Sequence, residues 1–222
     1  STCRRSSSRI RLEMEAFSDS FRSDLSQLMR WRRDVRRFRS DPVDEALLMQ
    51  CLDTFRLAHS VGLSEPWRIV RVTSPDLRQK AIQNYQAANT AALDGYDGEK
   101  AALYSGLKLS GMTEAPEHIA IFCDDSTTKG SGLGATTMPE MRRYSVVGAI
   151  NLMWLHARSH GLGMGWVSIL DAPKLCADLD VPTDWSLIAY LCIGWPKAIS
   201  TTPELETAGW ETRRDALPIE TR

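Results

Sequence analysis

No stretch of this 222-residue chain approaches the roughly 20 apolar residues that a membrane-spanning helix requires, so no bilayer role is expected. Charge of one sign is missing too. Lys+Arg number 27 and Asp+Glu 28, so no long-range field exists of the kind that general nucleic-acid binding needs. Cysteine is scarce and unpaired in pattern: five residues, an odd number, none in CxxC spacing. A disulfide framework is therefore not expected, and Cys51, Cys123 and Cys192 sit in apolar stretches as buried, reduced thiols do. This reads as a cytoplasmic protein. His156 and His160 are four apart and share a helical face, but no third ligand or HExxH glutamate accompanies them, so no metal site is expected. Gly130-Ser131-Gly132-Leu133-Gly134 is glycine-rich without the GK[ST] ending of a phosphate loop, and reads as a mobile surface loop. Residues 1–15 are basic and serine-rich but lack the apolar core of a secretory signal, and read as a flexible leader.

Apolar material is plentiful. Hydrophobic residues make up 43% of the chain and seven are tryptophan, enough for a substantial core. Apolar periodicity predicts a helix over 16–30 with Phe17, Phe21, Leu25, Leu28 and Met29 on one stripe. Asp41-Pro42 reads as the cap of a second helix reaching about Ala58. A loop over 59–67, a strand over 69–72 and a helix over 76–93 follow. Residues 94–115 have poor periodicity and several glycines, the signature of a lid. A strand over 118–123 precedes the longest helical signal, 141–160, whose middle is apolar nearly all round. Such a helix needs cover on every side, which a second subunit would supply. Gly161 is placed to cap it. A glycine-bearing strand over 163–169, a short helix capped by Asp171 and a doubly buried strand over 187–195 complete the body. Residues 196–222 read as an arm lying across another surface. No repeat or linker divides residues 16–222. The reading is one α+β domain with a central sheet flanked by helices.

The chemistry concentrates in Trp31-Arg32-Arg33-Asp34-Val35-Arg36-Arg37-Phe38. Guanidinium groups grip a phosphate through parallel N–H bonds. If the segment is extended, Arg32, Asp34 and Arg36 share one side, setting a carboxylate between two cations. The plainer alternative is a solvated basic turn at a helix end.

The order of signals from Trp31 to Arg213 resembles the nitroreductase-like FMN superfamily: the arginine cluster, the Ser60–Trp67 loop, a long apolar helix, GLGMGW, and a buried strand ending GWP. An RxSxR-type segment there holds the FMN phosphate and ribityl chain, and Arg32 and Arg36 take the two basic positions with Arg33 between them. An S-x-x-N-x-Q-P-W loop is matched at Ser60, Pro66 and Trp67. Asp34 replaces the usual serine, and Leu63 and Glu65 replace the usual asparagine and glutamine. With RRDVRRF, SEPWR, GLKLSGMTEAP, GLGMGWVSIL, LCIGWP and the Gly209-Trp210 tail, these departures are similar to the 5,6-dimethylbenzimidazole synthase (BluB) branch.

That resemblance implies a nitroreductase-like fold with a mixed or antiparallel sheet, and a homodimer with exchanged arms and two flavin sites at its interface. It also implies that reduced FMN is consumed as substrate with dioxygen, giving 5,6-dimethylbenzimidazole and erythrose 4-phosphate. The source of the electrons is left open, with NAD(P)H as an indirect reductant and a separate flavin reductase as candidates. The expected FMN contacts are Arg32, Arg33, Asp34, Arg36, Ser60, Leu107, Gly165, Trp166, Val167, Ser168 and Arg213. Asp34 is the expected base at the ribityl carbon attached to the flavin, and Ser168 the hydroxyl serving the oxygen step. Their structural alternatives are an arginine partner for Asp34 and a strand hydroxyl bonded to its own backbone for Ser168. Residues 94–115, with Tyr104, Leu107 and Met112, are the expected cover that excludes water. Two rivals stand beside this reading: an NAD(P)H-dependent nitroreductase or flavin reductase that keeps its FMN, and a non-catalytic FMN-binding protein.

Overall fold

The computed structural model describes residues 16–222. The expected leader and Cys3 lie outside the described residues. Among the described residues no helix is long and apolar enough to cross a membrane.

Helix α1 spans Asp19–Trp31, with the Ser18 hydroxyl accepting from the Phe21 amide as its cap. None of its residues is buried. The expected stripe exists, but Phe21 is 44% and Met29 50% exposed. Helix α2 spans Glu45–Asp53 and begins later than expected, because Asp44 rather than Asp41 accepts the capping bond, from the Leu47 amide. Asp41 pairs instead with Arg39 at 2.7 Å. A 3-10 turn, Thr54–Leu57, continues α2 toward Ala58.

Strand β1 (Trp67–Arg71) leads to α3 (Pro75–Leu93), whose Ser74 cap and first-turn proline match the sequence reading. The weakly periodic 94–115 stretch holds a helix, α4 (Gly98–Gly106). Its helicity was hidden because its alanines and glycines give little contrast between faces. Strand β2 (Glu117–Asp124), helix α5 (Met141–Ser159), strand β3 (Gly163–Val167), helix α6 (Ala172–Asp178), strand β4 (Trp185–Gly194) and a one-turn helix α7 (Glu204–Thr207) follow.

The sheet has the order β1-β2-β4-β3 and every neighbouring pair is antiparallel. Alternation along β2 and β4 sends Ile119, Ile121, Leu191 and Ile193 to one face, where α2 and α5 cover them. Ala120, Phe122, Tyr190 and Cys192 go to the other, with Met112, Ala115, Leu175 and the α3 residue Ala81. Central β4 is thus buried on both faces. Gly161, at φ +88°, ends α5 in the left-handed region that a Cβ disfavours. The glycine loop 130–134 lies against Gly62, and Lys129 pairs with Glu65.

Candidate functional site

The arginine segment becomes an extra edge beside β3. Asp34 bridges Met164 in parallel, and the Val35 amide donates to the Met164 carbonyl at 2.8 Å. Asp34 then uses its side chain to continue this edge. Its Oδ1 accepts from the Trp166 amide at 2.8 Å, and its Oδ2 accepts from Arg36 Nε at 2.8 Å. Both carboxylate oxygens are therefore fixed, while the side chain stays 33% exposed.

On their Cβ side the glycines of β3 admit the neighbouring chain. A Cβ on Gly165 would fall against the Val35 carbonyl, closer than 3.0 Å, and one on Gly163 would lie 2.8 Å from Val35 Cγ2. Bare backbone here lets the Asp34–Val35 chain close onto the strand. Of the expected ring-edge donors, the Trp166 amide is already engaged by Asp34. The Trp166 indole turns toward Trp154, 6.4 Å between ring centroids, and Val167 is buried in the core.

Arg32, Arg33, Arg36 and Arg213 line one cleft of about 170 Å³ with Pro203, Glu204 and Leu205. The Arg32 guanidinium lies over the Trp154 ring at 4.8 Å. Arg33 is fixed by carbonyls, donating from Nε to Thr201 at 2.8 Å and from Nη1 to Arg32 at 2.6 Å. Burial, then the charges of Arg213 and Arg32, lowers the Arg33 pKa. Among the described residues no carboxylate forms an ion pair with Arg32, Arg33 or Arg213. Crowded cations without a direct ion-pair partner at one spot fit a phosphate dianion.

The remaining predicted residues lie at different distances from this centre. Ser168 follows β3 on the same edge as Trp166 and is exposed. Its carbonyl accepts from the Leu170 amide at 3.0 Å, while its hydroxyl makes no bond among the described residues. Leu107 caps α4 beside Lys108, whose carbonyl accepts from Arg36 Nη1 at 3.2 Å. Ser60 is not brought to the arginines. Its hydroxyl accepts from the Glu65 amide at 3.0 Å, and the neighbouring Val61 amide bonds Ser145 near the start of α5. Trp154, which stacks on Arg32, is nine residues further along that helix, roughly 14 Å away.

Beneath residues 112–115, buried His118 meets the Tyr190 hydroxyl through Nδ1 at 2.9 Å. Burial, aided by Arg78, pushes the His118 pKa down to about 4. Sequence reasoning missed Thr201 and Lys108, which contribute carbonyl oxygens that any residue carries. His118 had left a signal, a lone histidine inside an apolar strand.

The family model described as the nitroreductase family matches residues 29–195. The chain belongs to that family. A 5,6-dimethylbenzimidazole synthase of Rhodospirillum rubrum is 51% identical over 198 residues, covering 89% of this chain and 94% of the relative. One from Rhodobacter capsulatus is 43% identical over 204 residues, covering 92% and 97%. Among solved structures, a BluB-like flavoprotein from Clostridium difficile 630 has a TM-score of 0.62 at 20% identity, covering 82% of this chain and 96% of that one. An iodotyrosine deiodinase bound to FMN and 3-iodo-L-tyrosine has a TM-score of 0.71 at 19% identity, covering 89% and 98%. These two likenesses concern the fold. Both the sequence-derived fold class and the superfamily resemblance hold.

Proposed function

We propose that this chain is a 5,6-dimethylbenzimidazole synthase, which fragments reduced FMN with dioxygen to 5,6-dimethylbenzimidazole and erythrose 4-phosphate. The observation that carries the reading is the Asp34 carboxylate. It is fixed through both oxygens beside an arginine cleft, at the position where the wider family's motif has a serine.

FMN, when bound, supplies the electrons for dioxygen and the carbon skeleton of both products. Arg32, Arg33 and Arg213 hold its phosphate, and their convergence in one cleft supports this. Asp34 lines the same cleft, so with the phosphate held by the arginines its carboxylate would face the ribityl chain toward the ring. Each carboxylate oxygen has two lone pairs, so one on each remains after the Trp166 and Arg36 bonds. Asp34 takes a proton from the ribityl carbon attached to the ring. A base fixed in contact with its proton gains through placement what it lacks in strength. Ser168 presents a free hydroxyl two residues beyond the Trp166 amide, on the same edge, to serve the oxygen step. Residues 94–115 close over the ring and keep water out, so that dioxygen is committed to product rather than released as peroxide.

The site is completed by a second copy of the chain. A cleft of about 170 Å³ falls below the roughly 300 Å³ at which small-molecule sites begin. Ser60 lies away from Arg32, Arg33, Arg36 and Arg213 of its own chain, and Phe17, Phe21, Leu25 and Met29 leave an apolar stripe exposed. A homodimer with exchanged arms covers that stripe and brings a partner's loop to the flavin. Reduced FMN arrives from a separate NAD(P)H-dependent flavin reductase, and the reduced, buried cysteines suit a cytoplasmic location.

The test is to supply chemically reduced FMN in air and follow total flavin and 5,6-dimethylbenzimidazole by chromatography. Loss of flavin matched by product supports the reading. Full recovery of flavin as FMN overturns it in favour of an ordinary nitroreductase or a flavin-binding protein.

A further inference from the structure

Arg36 is set apart from the other arginines of its cluster. Its side chain is only 12% exposed. Nε donates to Asp34 Oδ2 at 2.8 Å, and Nη1 donates to the Lys108 carbonyl at 3.2 Å. One planar guanidinium thus spans from the carboxylate to the segment that follows α4. The same segment is seated on the Arg36 backbone. A Cβ on Gly111 would lie 3.2 Å from the Arg36 carbonyl and would press into the Phe38 ring. Lys108 Nζ also pairs with Glu114 at 2.6 Å, and Met112 is buried against Phe38. Residues 108–114 therefore form a folded clasp on the 34–38 strand, with Arg36 as its polar link.

We propose that Arg36 is a positioning residue rather than a phosphate ligand: it couples docking of residues 107–114 to the orientation of the Asp34 carboxylate. This deepens the synthase reading and rests on it. With the segment docked, the Lys108 carbonyl fixes the guanidinium plane, and that plane sets the carboxylate. If the segment lifts, Arg36 loses its Lys108 anchor, its guanidinium is free to turn, and its bond to Asp34 no longer sets the carboxylate plane. The base is then correctly aimed only when the cover is closed. Arginine suits the task because its fork of fixed N–H groups holds two acceptors at a set angle, which an ammonium on a flexible stem does not.

The test compares wild type, Arg36→Gln and Arg36→Lys, each checked for folding by thermal unfolding. Binding of FMN and of riboflavin, which lacks the phosphate, is followed by flavin fluorescence, and proteolytic cutting within 94–115 is timed without flavin. In Arg36→Gln the preference for FMN over riboflavin should stay within about threefold of wild type, and cutting should accelerate. 5,6-Dimethylbenzimidazole formation at saturating reduced FMN should fall about 100-fold, as for a misplaced catalytic group. Arg36→Lys should likewise keep the FMN preference and recover product formation only in part. A drop of tenfold or more in the FMN-over-riboflavin preference would make Arg36 a phosphate ligand and overturn the proposal, as would unchanged proteolysis with unchanged product. If the substitutions do not fold, Gly111→Ala, which unseats the clasp through Phe38, should reproduce the same loss of product with phosphate preference intact. Failure to do so overturns the coupling. Wild type that binds FMN yet yields no product would instead refute the synthase reading, and the proteolysis and riboflavin results would still decide the role of Arg36.

Discussion

Gly165→Ala is the sharpest perturbation of the proposed centre, because it touches no ligand-facing side chain. The added methyl would fall closer than 3.0 Å to the Val35 carbonyl, and that neighbour is backbone. Relief requires the 34–35 chain to move away from β3 by more than about 1 Å, since unstrained heavy atoms sit roughly 3.5–4.0 Å apart. Two bonds span that gap: Val35 N–H to Met164, and Trp166 N–H to Asp34 Oδ1, each 2.8 Å. A neutral bond contributes about 1 kcal/mol and one to a charged group about 2 kcal/mol. Replacing glycine in a strand returns up to about 1 kcal/mol of chain entropy. The net expectation is a loss of about 2 kcal/mol in urea unfolding. Product formation should fall about 100-fold, because a displacement of more than about 1 Å takes the base out of line. Phosphate binding, made by Arg32, Arg33 and Arg213, should be little changed. Gly163→Ala is the control. Its methyl meets only the Val35 side chain, Cγ2 at 2.8 Å and Cβ at 3.1 Å, and no backbone atom, so stability and activity should fall less than in Gly165→Ala. Wild-type stability and yield in Gly165→Ala would show that the β3 contact does not set Asp34.

Asp34→Asn should bind FMN normally and lose ring fragmentation by about 100-fold or more; full activity would remove Asp34 from the chemistry. His118 should make stability pH-dependent. Its folded pKa is depressed to about 4 from an ordinary 6.5, so between those values the unfolded chain binds the proton and the folded chain does not. Stability therefore rises with pH across that window and is lost on acidification, by roughly 2 kcal/mol between pH 7 and pH 5. His118→Gln should lose less over the same interval in urea titrations, and an equal loss would mean that other groups dominate. Leu63 has φ 55°, a left-handed conformation that is unfavourable for leucine and tolerated by asparagine. Leu63→Asn should raise the urea midpoint, by about 0.5–1 kcal/mol in stability, and a lowered midpoint would mean that the exposed leucine side chain is engaged elsewhere.

What the sequence settled is what local order and residue type can carry. Alternation and continuous apolar runs located β2 and β4, because a doubly buried strand must be apolar throughout. Ser74-Pro75 and Asp171 marked helix starts, because orphan amides at a helix end need an acceptor. The cluster around Asp34 stood out because four guanidiniums in six residues flank one carboxylate and the family resemblance falls on the same positions. Tertiary structure alone decided how those residues are used. On their Cβ side the β3 glycines proved to be room for Val35, since only the docked segment reveals what fills a missing side chain. Asp41 yielded its capping role to Asp44 once Arg39 engaged it. Arg36 found a partner in the Lys108 carbonyl, invisible to sequence because every residue has one. Arg213 reached Arg32 and Arg33 only through the path of the folded arm. Sequence names the groups available for chemistry, whereas the distances between them belong to the fold, because contacts between residues far apart in the chain arise from packing.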